Sequence, residues 1–281
     1  MKSIGKESIL KQHAYDQYDI VDREVYGLDL SCKNLSGMRF INCALYNTVF
    51  NAAQLHKASF INCDVNNCQF HNTYLDEALI DNCRFNCCDL PEAIGILSQV
   101  INTTFAKGSL AGSNFHFATF RDCEFSSTNL SEVNFGAANL INNSLSQCNI
   151  TGANLSGVEG LPTAKQFLSQ FDHDELGILV YRVCAERVFR YAPPHWKFAP
   201  GEFLTETCNP DRTTDCSSGV HFATLNWIKI SVIPKSPDDV VWLCRIRWED
   251  LADVTVPYNT NGKARCARLE LLEPYDKLEN L

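Results

Sequence analysis

The sequence predicts a mainly β protein: a square β-helix followed by a small β-rich α+β domain. Three observations carry this. From Leu30 to Leu155 every fifth residue is large and apolar, apart from Gly95. Residues 20 apart repeat in kind across the same stretch. The period ends near Asp172, and all four tryptophans (Trp196, Trp227, Trp242, Trp248) lie beyond it.

A period of five fits neither a helix face, which repeats at about 3.6, nor a strand, which repeats at 2. It fits a coil in which each five-residue unit makes one side of a square. Two residues before most of the apolar centres sits a small residue, such as Cys43, Thr48, Ala53, Ala58, Cys63 or Cys68. Four sides per coil require residues 20 apart to stack. Asn42-Cys43, Asn62-Cys63 and Asn82-Cys83 form such a column, continued by Asn102-Thr103, Asp122-Cys123 and Asn142-Asn143. Ala58, Ala78, Ser98, Ala118 and Ala138 form another. The columns stay in register across PEAIGILSQV (91–100), so that stretch adds no residue. Gly95 is expected to leave a thin spot in the core and Pro91 to distort a turn.

The units NTVFN, KASFI, GANLS and SSTNL resemble the pentapeptide-repeat family, whose pattern is small, polar, Leu or Phe, then two variable positions. The resemblance covers residues 28–159 and implies a right-handed quadrilateral β-helix. Its coils, at roughly 4.8 Å each, make a rod about 30 Å long. Solenoids of this kind need caps at both ends. Residues 1–27 are expected to cap the first coil as a short helix or strand. Residues 160–171 read as an exit turn and a helix, with Thr163 as N-cap, covering the last coil.

Composition narrows the function classes. The chain has 281 residues, 45% hydrophobic and 20% charged, enough for a sizeable core. With 24 Lys+Arg against 33 Asp+Glu, the formal charge is −9, so direct nucleic-acid binding is not expected. No apolar run approaches the roughly 20 residues that span a bilayer. The opening MKSIGKESILKQHAYDQYDIVDRE has no apolar signal core, and a cytoplasmic location is expected. In that setting the 14 cysteines are read as free thiols packed as small hydrophobes.

Some relatives in the family are acidic rods that imitate duplex DNA and bind type II topoisomerases. Residues 28–159 hold 11 acidic and 6 basic side chains, a mild surplus that favours a docking stalk over a DNA mimic. The column of Asn42, Cys43, Asn62, Cys63, Asn82, Cys83, Asp122 and Cys123 is read as a structural ladder of stacked amides and thiols.

From residue 172 to 281, GILVYRVC, EFLTETC, HFATLNWIKISVI, DVVWLCRIRWEDL, DVTVPYN and ARCARLELLE read as strands. This domain resembles uncharacterised C-terminal domains that follow pentapeptide repeats in bacterial and phage proteins, a resemblance that carries no activity. Three stretches stand out: 191–206, a stiff loop with a Pro-Pro pair; 209–224, whose composition is typical of a functional loop; and 256–266, where Asn-Gly suggests a tight turn. Trp196, Arg212, Asp215, Cys216, Ser217 and His221 are the candidate ligand or partner residues.

Chemistry can be tried on them. Cys208, Cys216, His221, Cys244 and Cys266 contain no C-x-x-C pair, so no metal is expected. Cys216 with His221 as base lacks a third orienting group. Arg182, Ser217-Ser218 and Glu249 or Glu270 occur in the order used by ADP-ribosyltransferase-like folds. No G-x-G-x-x-G or Walker loop occurs.

The preferred reading is a non-enzymatic scaffold or inhibitor with no cofactor and a protein partner, DNA gyrase being the sharpest version. Stacking of two copies end to end is compatible with it. The alternative is a nucleotide-binding or ADP-ribosyltransferase-like enzyme in the C-terminal domain.

Overall fold

A chain that turns a corner every five residues needs a left-handed backbone at each corner, and Asn tolerates that conformation better than most residues. Asn42, Asn47, Asn62, Asn67 and Asn82 all have φ between 50° and 53°. In the computed structural model, which describes every residue except 146, 162, 186–192, 232–238 and 276–281, these corners separate the four sides of a coil. The described chain divides into two compact units, Met1–Leu161 and Pro162–Leu281.

The first unit is the β-helix. Two of its sides are parallel sheets of seven short strands each. Arg39–Ile41 pairs with Ser59–Ile61 and that with Leu79–Asp81, so Phe40, Phe60 and Ile80 lie over one another. The other two sides are held by single bridges such as Val49 to Gln69 and Gln54 to Tyr74. Every one of these partners is 20 residues from the next. The frame also starts earlier than residue 28: Asp19–Val21 already pairs with Arg39–Ile41, and Ile20 and Val25 are buried at the centre positions.

The lead-in is helix α1 (Lys6–Ala14), which buries Ile9, and a short strand Lys2–Ser3 paired with Arg23–Glu24. That pairing covers a backbone edge the first coil would otherwise expose.

The apolar centres stack as columns of rings. Phe40 and Phe60 are parallel with centroids 5.0 Å apart, and Phe50 and Phe70 lie 4.8 Å apart. Neighbouring columns meet edge to face, as Phe40 does Phe50 at 6.3 Å. Both arrangements are favoured by the ring quadrupole.

The small position has a second job. Cys43, Cys63 and Cys83 donate their thiols to the carbonyls of Ile20, Phe40 and Phe60, at 3.2, 3.2 and 3.3 Å. Thr73 and Thr128 give the same bond by hydroxyl to Phe50 and Phe105, each at 3.0 Å. The position therefore mostly takes a small side chain with a donor, or Ala, with Met38 and Val133 as larger apolar exceptions. All cysteines are free thiols. Burial pushes the Cys123 thiol up to about 11, so it stays protonated and inert at neutral pH. On the outer corner, Asn62 donates to Asn42 at 3.1 Å and Asn82 to Asn62 at 2.8 Å. Asn42 donates to Asp22 and Asn142 to Asp122, at 3.1 and 2.9 Å.

The 91–100 stretch departs from expectation. Pro91 distorts nothing, because the N–H it lacks is not part of the coil-to-coil ladder. At equivalent positions that N–H goes to side chains, His71 N to Asn51 Oδ1 and Ser131 N to Asn129 Oδ1. The Pro91 carbonyl still accepts from Asn72 N at 3.1 Å. Gly95 leaves no thin spot either, since the Phe115 ring from the next coil fills it. A Cβ on Gly95 would lie 2.4 Å from Phe115 Cε1.

The second unit is one antiparallel sheet. Its strands are β1 (Gly177–Ala185), β2 (Phe203–Thr205), β3 (Val220–Ala223), β4 (Asp239–Arg247), β5 (Lys263–Cys266) and β6 (Arg268–Pro274). They run in the order β2-β6-β4-β1-β3-β5. Only Ala267 separates β5 from β6, yet these pair at opposite ends of the sheet, so the sheet curls. One face buries Ile178, Val180, Val220, Phe222, Cys244, Ile246 and Leu271. Helix α2 (Ala164–Leu168), capped by Thr163 in a reciprocal box with Gln166, inserts Phe167 into this core. The exit helix thus belongs to the second unit.

Two stretches read as strands fold partly otherwise, and a third makes two strands in place of one. HFATLNWIKISVI is strand β3 and then helix α3 (Leu225–Ser231), whose start Thr224 caps by accepting from Trp227 N at 3.2 Å; Val232 and Ile233 lie outside the described residues. DVTVPYN keeps only a bridge from Thr255 to Arg265, behind a 3₁₀ turn at Trp248–Asp253. ARCARLELLE divides between β5 and β6.

We expect Gly95→Ala to destabilise the β-helix: overpacking costs about 1–3 kcal/mol, more than the roughly 0.4–1 kcal/mol gained by stiffening the unfolded chain. Adding Phe115→Leu should restore most of the loss in a urea titration. Additive effects of the two substitutions would show that the ring and the glycine do not share the space.

Candidate functional site

Loop 209–218 is anchored by one arginine that the sequence reading missed. On β5, Ala264 and Cys266 face the core, so Arg265 points to the opposite face, yet it is fully buried. The loop wraps its guanidinium in backbone carbonyls: Nε donates to Asn209 O at 2.9 Å, Nη1 to Thr214 O at 2.8 Å, and Nη2 to Asp211 O. A buried charge is tolerated when its donors are all used. The only sequence signal was a charge inside the apolar run KARCARLELL.

The predicted residues of the loop then separate into two groups. Arg212 and Ser217 tie the loop down. Arg212 donates Nε to Val256 O at 2.7 Å and lies 3.9 Å over the Tyr258 ring. Ser217 Oγ accepts from Asn209 Nδ2 at 2.7 Å. Asp215, Cys216 and His221 instead surround Lys263. Lys263 Nζ lies 3.0 Å from Cys216 Sγ and 3.4 Å from an Asp215 carboxylate oxygen. His221 stands opposite Arg265 in the β3–β5 ladder. Trp196 sits elsewhere, its Nε1 donating to Thr205 O at 2.9 Å and its ring 5.1 Å from the Arg182 guanidinium. Tyr191 and Ala192, at the start of the first predicted loop, lie outside the described residues.

Lys263, Cys216 and His221 line a cleft of about 270 Å³ with Tyr181, Arg182, Val183, Phe222, Ala223, Trp227 and Ile228. Burial brings the His221 imidazole down to about 4, and the positive charges of Lys263, Arg182 and Arg265 push the same way. It is therefore neutral at pH 7. Its Nε2 is buried and has no hydrogen-bond partner among the described residues.

The enzyme-like sets do not assemble. Arg182 is opposite Trp242 in the β1–β4 ladder, whereas Glu270 is opposite Arg245. Trp242 and Arg245 are three residues apart on one strand, so Arg182 and Glu270 lie on opposite faces. Glu270 is committed to Arg245 and Arg247, each at 3.1 Å. Burial alone would raise its carboxyl, and the bonds from Arg247 and Arg245 bring it below the ordinary value. Glu249 is exposed and reaches Arg268 at 3.4 Å. Cys244 and Cys266 are in the core while Cys216 is exposed on the other face. Among the described residues no three His, Cys, Asp or Glu side chains are placed to hold a metal ion. Cys216 and His221 share no hydrogen bond there either.

The sequence profile of pentapeptide repeats matches residues 29–67, 101–136 and 120–157, in eight copies. The repeat region belongs to the pentapeptide-repeat family. Among solved structures, the chain is similar to a trypsin-treated form of QnrB1, a plasmid-mediated fluoroquinolone resistance protein. The identity is 19%, with 54% of this chain and 86% of that one covered and a TM-score of 0.46. It is also similar to HetL, a pentapeptide repeat protein involved in heterocyst differentiation regulation in the cyanobacterium Nostoc, at 15% identity. There the cover is 56% and 94%, with a TM-score of 0.25. A pentapeptide repeat protein of the Arabidopsis thaliana thylakoid lumen matches at 24% identity, covering 51% and 74%, with a TM-score of 0.18. No curated protein matches the chain in sequence. These similarities carry no statement of activity.

Arg265→Met leaves several buried carbonyls without a donor, at about 1–3 kcal/mol for each such group. The second unit should lose at least about 2 kcal/mol in denaturant, and limited proteolysis should begin to cut within 209–216. His221 makes the second unit sensitive to acid. The unfolded imidazole titrates near 6.5 and the folded one near 4, so the unfolded chain binds the extra proton between those values. The stability this provides is complete above about pH 6.5 and is lost as the pH falls toward 4. His221→Phe should flatten the dependence of the denaturation midpoint on pH across that window; an unchanged slope would assign it to other groups.

Proposed function

We propose that the protein is a protein-binding scaffold that acts through the lateral surface of its β-helix. The observation that carries this is a pair of bulky apolar side chains on a corner. The corner column reads Gly37, Lys57, Glu77, Leu97, Phe117, Ala137, Gly157. Leu97 and Phe117 are 56% and 54% exposed and sit at φ of 60° and 58°. A bulky side chain in the left-handed region is strained, and Gly or Asn would relieve it. The strain is useful if the side chains anchor a partner. His116, its ring centroid 4.0 Å from that of Phe117, extends the patch. Below it, Lys57 pairs with Glu77 at 3.5 Å and His56 with Asp76 at 3.2 Å, giving an apolar centre a polar rim.

The finer reading is inhibition of a cytoplasmic DNA-handling enzyme such as gyrase. Its support is the resemblance to the family's topoisomerase-binding rods, since the mild acidity of this repeat region adds little steering of its own. The ADP-ribosyltransferase-like alternative loses its residues to opposite sheet faces and structural ion pairs.

Purified protein is expected to inhibit gyrase supercoiling at micromolar concentration, and Leu97→Asp with Phe117→Asp to weaken that inhibition about tenfold or more. The thermal melt of the double variant should not fall, since both side chains are exposed. Absence of inhibition at micromolar protein would remove gyrase as the target.

A further inference from the structure

The cleft beside Lys263 plays no part in the scaffold reading and stands independently of it. It opens where β1 and β3 separate, for their ladder is the single pair Tyr181 and Ala223. Past that pair Arg182 spans the gap, donating Nη1 to the His221 carbonyl. The walls are apolar: Val183 from β1, Phe222 from β3, Trp227 and Ile228 from α3. At about 270 Å³ the space equals that of roughly nine waters at about 30 Å³ each.

Its polar groups are few and mostly cationic. Lys263 and Arg182 both line it, and among the described residues the carboxylate paired with Lys263, Asp215, is half exposed. An ammonium has three N–H donors. Among the described residues Asp215 and Cys216 accept from Lys263, which leaves one for a further oxygen. Lys263 Nζ also lies 5.6 Å from the centroid of the Trp227 ring, so a flat body against that indole would bring its substituent to the ammonium. His221 Nε2, buried and without a partner among the described residues, offers one more hydrogen bond. A small apolar cleft with a few convergent polar groups is the usual form of a ligand site.

We propose that this cleft binds a small carboxylic acid with a one- or two-ring apolar body, its carboxylate on Lys263 and its ring against Trp227. A multiply charged anion such as phosphate fits poorly, because the walls cannot replace its hydration.

The test is isothermal titration of the full chain with indole-3-carboxylate, benzoate, their neutral carboxamides and inorganic phosphate. At least one of the two acids should bind with a dissociation constant below about 1 mM, and its carboxamide at least about tenfold more weakly. Lys263→Met should weaken the acid by a similar factor. Val183→Trp, which fills the cleft and leaves every charge in place, should abolish binding, and it decides the matter if Lys263→Met fails to fold. Acid and amide binding equally would overturn the proposal. So would affinity unchanged by Val183→Trp, binding of phosphate in place of the acids, or no acid bound at 10 mM.

Discussion

The first unit depends on one constraint: each coil gives its backbone hydrogen bonds to the coil 20 residues away. Asn42 N reaches Ile61 O, and Asn62 N reaches Asp81 O, each at 3.0 Å or less. Once that register holds, a ring must lie over a ring, a corner amide over a corner amide, and a small donor beneath the carbonyl of the coil before. A one-residue slip would turn every centre outward at once. The frame is therefore stiff with little conventional secondary structure, and it displays side chains on its outside at fixed spacing.

That constraint explains the cysteines. A secreted chain with so many would be read as a disulfide framework, but here the thiol is a small, weakly donating group in a column that Thr and Ala also occupy. It also explains the Asn-rich corners, where one residue type satisfies both the left-handed backbone and the amide ladder. Leu97 and Phe117 satisfy neither requirement. Residues that break a local rule without a structural gain are those most often kept for function.

The second unit obeys no such period, and its organisation comes from long-range contacts. Arg265 and Arg212 gather a polar loop onto a sheet face by donating to backbone carbonyls, which any sequence could supply. Because the loop's own side chains are largely spent on its turns, the residues that define the cleft come from four separate segments: Val183, Cys216, Trp227 and Lys263. Two of the predicted site residues, Cys216 and His221, reach that cleft. Lys263 lay in a stretch marked only for its Asn-Gly turn, and Trp227 in one read as a strand, so neither was singled out as its main polar or apolar group.

The periods of five and twenty were written in the sequence, because neighbours in a coil are also neighbours at a fixed chain distance. They determined the β-helix, its core columns and the packing role of its thiols. Tertiary structure alone decided that Thr224 starts a helix in a stretch rich in strand-forming residues. It alone decided that the Gly95 gap is filled from another coil, that Arg182 and Glu270 face away from each other, and that Lys263 meets Cys216. Those outcomes depend on pairing between segments dozens of residues apart, where sheet register and face are set by the curl of the whole sheet and by no local pattern.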